Sequence, residues 1–123
     1  MRLILFTFFL VLVSVLLFAD GVPPIGSGTE TNPYQISSLD NLLWLNTNPE
    51  ICNTNAFFIQ TADINALDTQ SWNEGAGWIP LPLIFNGEYN GQGYHIDGLF
   101  LNSELSDETG FFGCVYESRI SNL

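Results

Sequence analysis

Apolar residues come first as one block and afterwards only in short bursts. Leu3 to Phe18 run for sixteen residues interrupted only by Thr7 and Ser14; Met1 and Arg2 precede them and Ala19 closes the stretch before Asp20. A short basic start, an apolar stretch and a small residue at the junction predict a secretory signal peptide over residues 1–19. As a helix the stretch would reach about 24 Å, against a hydrocarbon core of about 30 Å. No basic cluster comes after it, and Asp20, Gly21, Pro23 and Pro24 arrive at once, so cleavage is favoured over anchoring and no stable membrane span is expected afterwards. Leu17, larger than the small residue preferred two positions before a cut, is the one feature that argues for an anchor.

Beyond the leader the pattern changes period twice. Residues 20–33, rich in Gly, Pro, Ser and Thr, predict a flexible leader. Tyr34-Gln35-Ile36 predicts a short strand. Ser37 and Ser38 then offer capping oxygens, Asp40 places negative charge in a first turn, Leu39, Leu42, Leu43 and Asn46 mark one helical face with Trp44 and Leu45 widening it, and Pro49 stops the helix. The rest of the chain reads as strands: Ala56 to Ile64, Leu83 to Phe85, Tyr94 to Leu101, Gly110 to Tyr116 and Arg119 to Leu123. Turn clusters separate them, among them Asn86-Gly87, Asn90-Gly91-Gln92-Gly93 and Ser106-Asp107-Glu108. Within Tyr94 to Asp97 the alternation puts Tyr94 and Ile96 on one face, His95 and Asp97 on the other. Ile96-Asp97-Gly98-Leu99 is echoed 24 residues later by Ile120-Ser121-Asn122-Leu123. A period in the twenties with glycine at the corners suits stacked coils of a β-solenoid.

Charge narrows the partners. Removing residues 1–19 leaves 104 residues, enough for one domain, with thirteen acids against Arg119 and no lysine, a formal charge of −12. Such a chain has no cationic surface for phosphate backbones, which excludes nucleic acid as a partner; an acid-rich exported surface suits cations or neutral sugars. Cys52 and Cys114 are the two cysteines. They would either form one bridge across a long loop in an oxidising compartment or sit as small buried hydrophobes, and the second is favoured because nothing in the spacing brings them together. With His95 the only histidine, no metal site is expected and no cofactor is implied.

Candidate chemistry is thin. Asp63, Asp68, Glu88 and Asp97 are the carboxylates for a paired acid/base mechanism on a polysaccharide, yet each lies beside Asn, Thr or Gly as turn and strand-end acids do. His95 reads as an ordinary surface histidine. Gly87, Gly91 and Gly93 miss dinucleotide and phosphate-loop spacings, so sharp turns explain them. Trp72, Trp78, Tyr89 and Tyr94 cluster mid-chain and would make a sugar platform; the competing and favoured reading is a loop packed over the first strands. No catalytic residue is assigned.

Taken in order, Gly26-Ser27-Gly28-Thr29, Asn32 to Ser37, the helix Leu39 to Leu45, Gln60 to Ile64, Trp72 to Pro80, Phe85 to Gly91, and Gly110-Phe111-Phe112-Gly113 leading to Ile120-Ser121-Asn122-Leu123 resemble the N-terminal part of bacterial secreted GLUG-repeat proteins. The resemblance spans nearly all of the mature chain. It implies an all-β fold, the start of a right-handed parallel β-helix over residues 34–123 with the helix near Leu42 capping its open end. It also implies a secreted or cell-surface, adhesin-like, non-enzymatic protein meeting glycan, cell-surface or matrix components. A carbohydrate-active β-helix enzyme is the alternative. The stop at Leu123, in what reads as mid-coil, predicts a fragment with an exposed apolar edge and poor solubility.

Overall fold

A computed structural model describes residues 20–81, 85–102, 104 and 110–123. The signal-peptide reading for residues 1–19, most of the strand expected at Leu83 to Phe85 and the turn expected at Ser106-Asp107-Glu108 lie outside the described residues.

Among the described residues there are six short strands: β1 Tyr34–Ile36, β2 Phe57–Gln60, β3 Ile64–Asn65, β4 Glu88–Asn90, β5 Ile96–Asp97 and β6 Arg119–Ser121. They form a four-stranded sheet in the order β1-β2-β4-β6 and a two-stranded sheet β3-β5, and every pairing is parallel. Parallel neighbours need long connections. Those connections carry helix: α1 spans Leu39–Thr47, and 3-10 segments span Pro49–Asn53 and Leu67–Gly75.

The expected all-β, right-handed parallel β-helix is thereby corrected. The fold is mixed, with strands of two to four residues and helical segments of five to nine. The physical reason is visible in the Leu67–Gly75 segment. Asn65 Oδ1 accepts from Leu67 N at 3.1 Å, Thr69 Oγ1 donates to Ala66 O at 2.6 Å, and Ser71 Oγ donates to Asp68 O at 3.0 Å. Short polar side chains that bond nearby backbone in this way pull it out of the extended conformation. The 24-residue echo is corrected as well. Ile96 pairs with Ile64 and Ile120 pairs with Tyr89, so the two copies of the motif lie in different sheets. The expected strand Ala56 to Ile64 divides between β2 and β3, and Tyr94 to Leu101 contracts to β5.

Helix α1 forms as its sequence predicts. Ser38 is extended and its side chain accepts from Asn41 N at 3.2 Å, Asp40 sits in the first turn, and Pro49 opens the 3-10 segment that comes next. The buried residues are Asn41, Leu42 and Leu45, so Leu42 and Leu45 of the expected face point inward together with Asn41. Residues 20–33 are tied to this layer. Val22 N donates to Asp40 O at 3.0 Å, Asn41 Nδ2 to Val22 O at 2.9 Å, Gln35 N to Ile25 O at 2.8 Å and Phe57 N to Gly28 O at 2.9 Å. Gly21, at φ +77°, lies so close to α1 that a Cβ would meet the Trp44 backbone nitrogen.

The core lies between the sheets and α1. Leu42 and Leu45 face Ile36, Phe58, Phe85, Leu81 and Tyr89, all buried. Register makes an aromatic column across the sheet: Tyr34 lies 5.4 Å from Phe58, and Phe58 lies 6.4 Å from Tyr89, ring centre to ring centre. Phe85 packs on Phe112 at 4.9 Å, and Trp78 stacks on Phe111 at 5.0 Å with ring planes 5° apart.

Candidate binding face

After β4 the chain turns through Gly91-Gln92-Gly93 and passes Tyr94 and His95 into β5. After β6 it ends in Asn122-Leu123, stacked against that turn. Gln92 and Gly93 have φ of +51° and +78°, a left-handed pair that reverses the backbone. Asn90 Oδ1 fixes the reversal by accepting from Gln92 N at 2.9 Å and from Asn122 Nδ2 at 2.9 Å. Gly93 N donates to Asn122 O at 3.1 Å and Tyr94 N to Gly91 O at 2.9 Å. Between these segments lies an open groove of about 510 Å³ lined by Asn90, Gln92, Gly93, Tyr94, His95, Asn122 and Leu123.

The backbone of the lining residue His95 is pinned on both sides. His95 N donates to Asp63 Oδ1 at 2.8 Å, and His95 O accepts from Ile64 N at 2.8 Å and from Gln60 Nε2 at 3.0 Å. Gln60 is fully buried; its amide also donates to Ala62 O at 3.0 Å and accepts the Tyr89 hydroxyl at 3.2 Å. Tyr89 is fully buried, and that burial holds its phenol well above its ordinary range, so it remains a donor. One buried amide thus joins β2, β4 and the strand entering β5. The groove itself offers amides, an imidazole and a phenol ring with Tyr94 39% exposed, a set suited to an uncharged ligand with hydroxyls and one apolar face.

The residues singled out in the sequence divide between these roles. Asp63 spends a carboxylate oxygen on the His95 backbone, Asp68 lies in the first turn of the Leu67–Gly75 segment, Asp97 is exposed on β5, and Glu88 begins β4 opposite Arg119 of β6. The four aromatics are not brought into one platform. Trp78 is buried with its Nε1 donating to Phe111 O at 3.1 Å, Trp72 packs beside it at 6.3 Å, Tyr89 is core, and Tyr94 alone faces the groove. Gly87 and Gly91 press against the backbone of Ala56 and Asn122. Cys52 is buried and Cys114 exposed, both with free thiols. Burial, aided by the charge of Glu50, pushes the Cys52 thiol up to about 12. Among the described residues no three His, Cys, Asp or Glu side chains gather as metal ligands, and no helix is long and apolar enough to cross a membrane. Asn90 and Gln92 read from sequence only as turn formers, and Asn122 only as part of the strand Arg119 to Leu123. Gln60 reads from sequence only as part of the strand Ala56 to Ile64, although its place two residues after Phe58 marks it as inward-facing.

No family model matches the chain, and no solved structure matches it. The chain is similar to a protein named Halomucin from the haloarchaeon Haloquadratum walsbyi, 34% identical over 96 residues. The match takes in 72% of this chain and 1% of that protein, so the chain spans about one hundredth of the curated relative's length. The resemblance to GLUG-repeat proteins is joined by no family match, and the bacterial source it implied gains no support from a haloarchaeal relative.

Proposed function

We propose that this chain belongs to a secreted or cell-surface protein with a non-enzymatic, adhesin-like role, binding neutral glycan or matrix material through the groove at Tyr94. The observation that carries the location is the similarity to a protein whose name marks it as a mucin. The export leader read in residues 1–19 and the acid-rich composition without lysine agree with it. The binding reading rests on chemistry. A cation-free cleft of Asn90, Gln92, His95 and Asn122 around one exposed ring suits hydroxyl-rich, uncharged ligands. The non-enzymatic reading rests on what the acids do: Asp63 is occupied with backbone, while Asp68 and Asp97 stand in separate elements.

The test is binding of the purified chain to a panel of neutral glycans, matrix polymers and cell surfaces, and then the same panel with Tyr94→Ala. Retention on at least one class, weakened about tenfold or more by Tyr94→Ala (about 1.4 kcal/mol), is expected. Binding to none of them would remove the adhesive role, and release of reducing ends from a bound polysaccharide would replace it with the enzymatic one.

A further inference from the structure

Two Asn-Gly pairs flank β4, Asn86-Gly87 ahead of it and Asn90-Gly91 behind it. Both asparagines are half-buried and both glycines buried, yet the fold holds the two pairs differently. Gly91 N donates to Ser121 O of β6 at 2.9 Å. The Asn90 side chain is engaged elsewhere, its Oδ1 accepting from Gln92 N and from Asn122 Nδ2, both at 2.9 Å. Gly87 N donates no hydrogen bond among the described residues. The bonds fall on either side of it, from Asn86 N to Cys52 O at 3.1 Å and from Glu88 N to Ala56 O at 2.9 Å. Asn86 Oδ1 accepts from Asn55 N at 3.0 Å. Asn86 and Gly87 also line an open groove of about 290 Å³ with Asn55 and Glu88, through which water reaches them.

We propose that Asn86-Gly87 is a site of spontaneous deamidation and isoaspartate formation in the folded protein, while the fold protects Asn90-Gly91. Gly87 N gives its proton to hydroxide and attacks Asn86 Cγ. The Cγ–Nδ2 bond then breaks, ammonia leaves with a proton taken from water, and a cyclic imide remains. Water opens that ring in one of two ways. Splitting the bond from Gly87 N to Cγ leaves aspartate in an ordinary chain; splitting the bond from Gly87 N to the Asn86 main-chain carbonyl carbon leaves an isoaspartyl link, with one more methylene in the backbone. The Asn55 N–H points at Oδ1, where negative charge gathers as the nitrogen adds, and so favours the attack. At Asn90 the same step has to break the Gly91 bond to Ser121 before a nucleophile is free. Glycine leaves its amide nitrogen unhindered, and Ala56 O beside Gly87 leaves no room for a Cβ in its place. Phe85 and Tyr89 are fully buried on either side, so the chain between them has a fixed span. The isoaspartyl link strains it; aspartate does not.

The test incubates the purified chain at mildly alkaline pH, once native and once unfolded in urea. Cleavage after Glu88 then puts Asn86 and Asn90 in separate fragments, and each is followed by mass. A gain of about 1 Da marks conversion of the amide to the acid. In the native protein Asn86 converts at least about tenfold faster than Asn90, and in urea the two rates come within about twofold of each other. Asn86→Gln removes the fast reaction and leaves the rate at Asn90 unchanged. The isoaspartyl form, separated from the parent by its added charge, unfolds at a lower urea concentration than Asn86→Asp. Because the comparison of native with unfolded chain needs no variant, it decides the matter even where Asn86→Gln fails to fold. Four results would each overturn the proposal: an Asn86 that stays intact in the native chain, equal native rates at the two sites, a faster Asn90, and a preference for Asn86 that persists in urea and so belongs to the local sequence. Glycan binding at Tyr94 stands or falls separately from all of these.

Discussion

Replacing Gln60 with leucine keeps the bulk of the side chain and removes three hydrogen bonds from the middle of the core. His95 O survives the change because Ile64 N still donates to it at 2.8 Å. Ala62 O and the Tyr89 hydroxyl lose the partner that held them at 3.0 and 3.2 Å. A buried group left without a partner costs about 1–3 kcal/mol. Two of them put Gln60→Leu at about 3 kcal/mol of lost stability. Tyr89→Phe deprives only Gln60 Oε1, and because that bond is long its effect is about 1 kcal/mol. In the double variant the hydroxyl is gone along with its acceptor, so Ala62 O alone is orphaned. The two changes then fall short of additivity by more than about 1 kcal/mol, the mark of residues in one network. Urea unfolding at fixed salt measures this directly. With a slope of about 1–1.5 kcal/mol per molar, Gln60→Leu lowers the midpoint by about 2–3 M. A Gln60→Leu protein within about 1 kcal/mol of the parent, or strict additivity in the double variant, would refute the argument that this amide joins the sheets.

Alkali acts on the same core. Cys52 ordinarily titrates near 9.0 and is held near 12 in the fold, and Tyr89 is raised above its ordinary 10.0. Both groups favour the folded state while protonated. Their contribution is complete below about pH 9 and is lost as pH rises, by about 4 kcal/mol for Cys52 by about pH 12 at about 1.4 kcal/mol per unit. Urea midpoints measured from pH 8 to 12 should fall from about pH 9 upward, and in Cys52→Ala the fall should begin nearer 10; a flat profile would contradict the assigned burial. The free thiols lead to a labelling prediction: under native conditions an alkylating reagent modifies Cys114 and spares Cys52 until denaturant is added. Two unreactive cysteines with a mass about 2 Da below the reduced chain would instead establish the bridge.

Helix α1 was legible because everything that makes it is local. The Ser38 cap, Asp40, the leucine spacing and Pro49 all lie within a dozen residues. Strand β2 was legible for the same reason, with Phe58 and Gln60 facing in and Phe57 and Ile59 half-buried. The 3-10 segment at Leu67–Gly75 was missed because Asn65, Thr69 and Ser71 act through side-chain bonds to backbone that no hydrophobic period reveals. The aromatic platform failed because the chain sends Trp78 and Tyr89 inward and leaves Tyr94 out, a division that depends on which strands pair.

From the amino-acid order alone came helix α1 and the turn at Asn90-Gly91-Gln92-Gly93, since each rests on neighbours within a few positions. Only the tertiary structure decided that Ile96 joins Ile64 while Ile120 joins Tyr89, and that Asn90 and Asn122 meet beside Tyr94. Parallel pairing over about thirty residues is selected by the fit of the whole core, and the residues it brings together carry no mark of one another in the sequence.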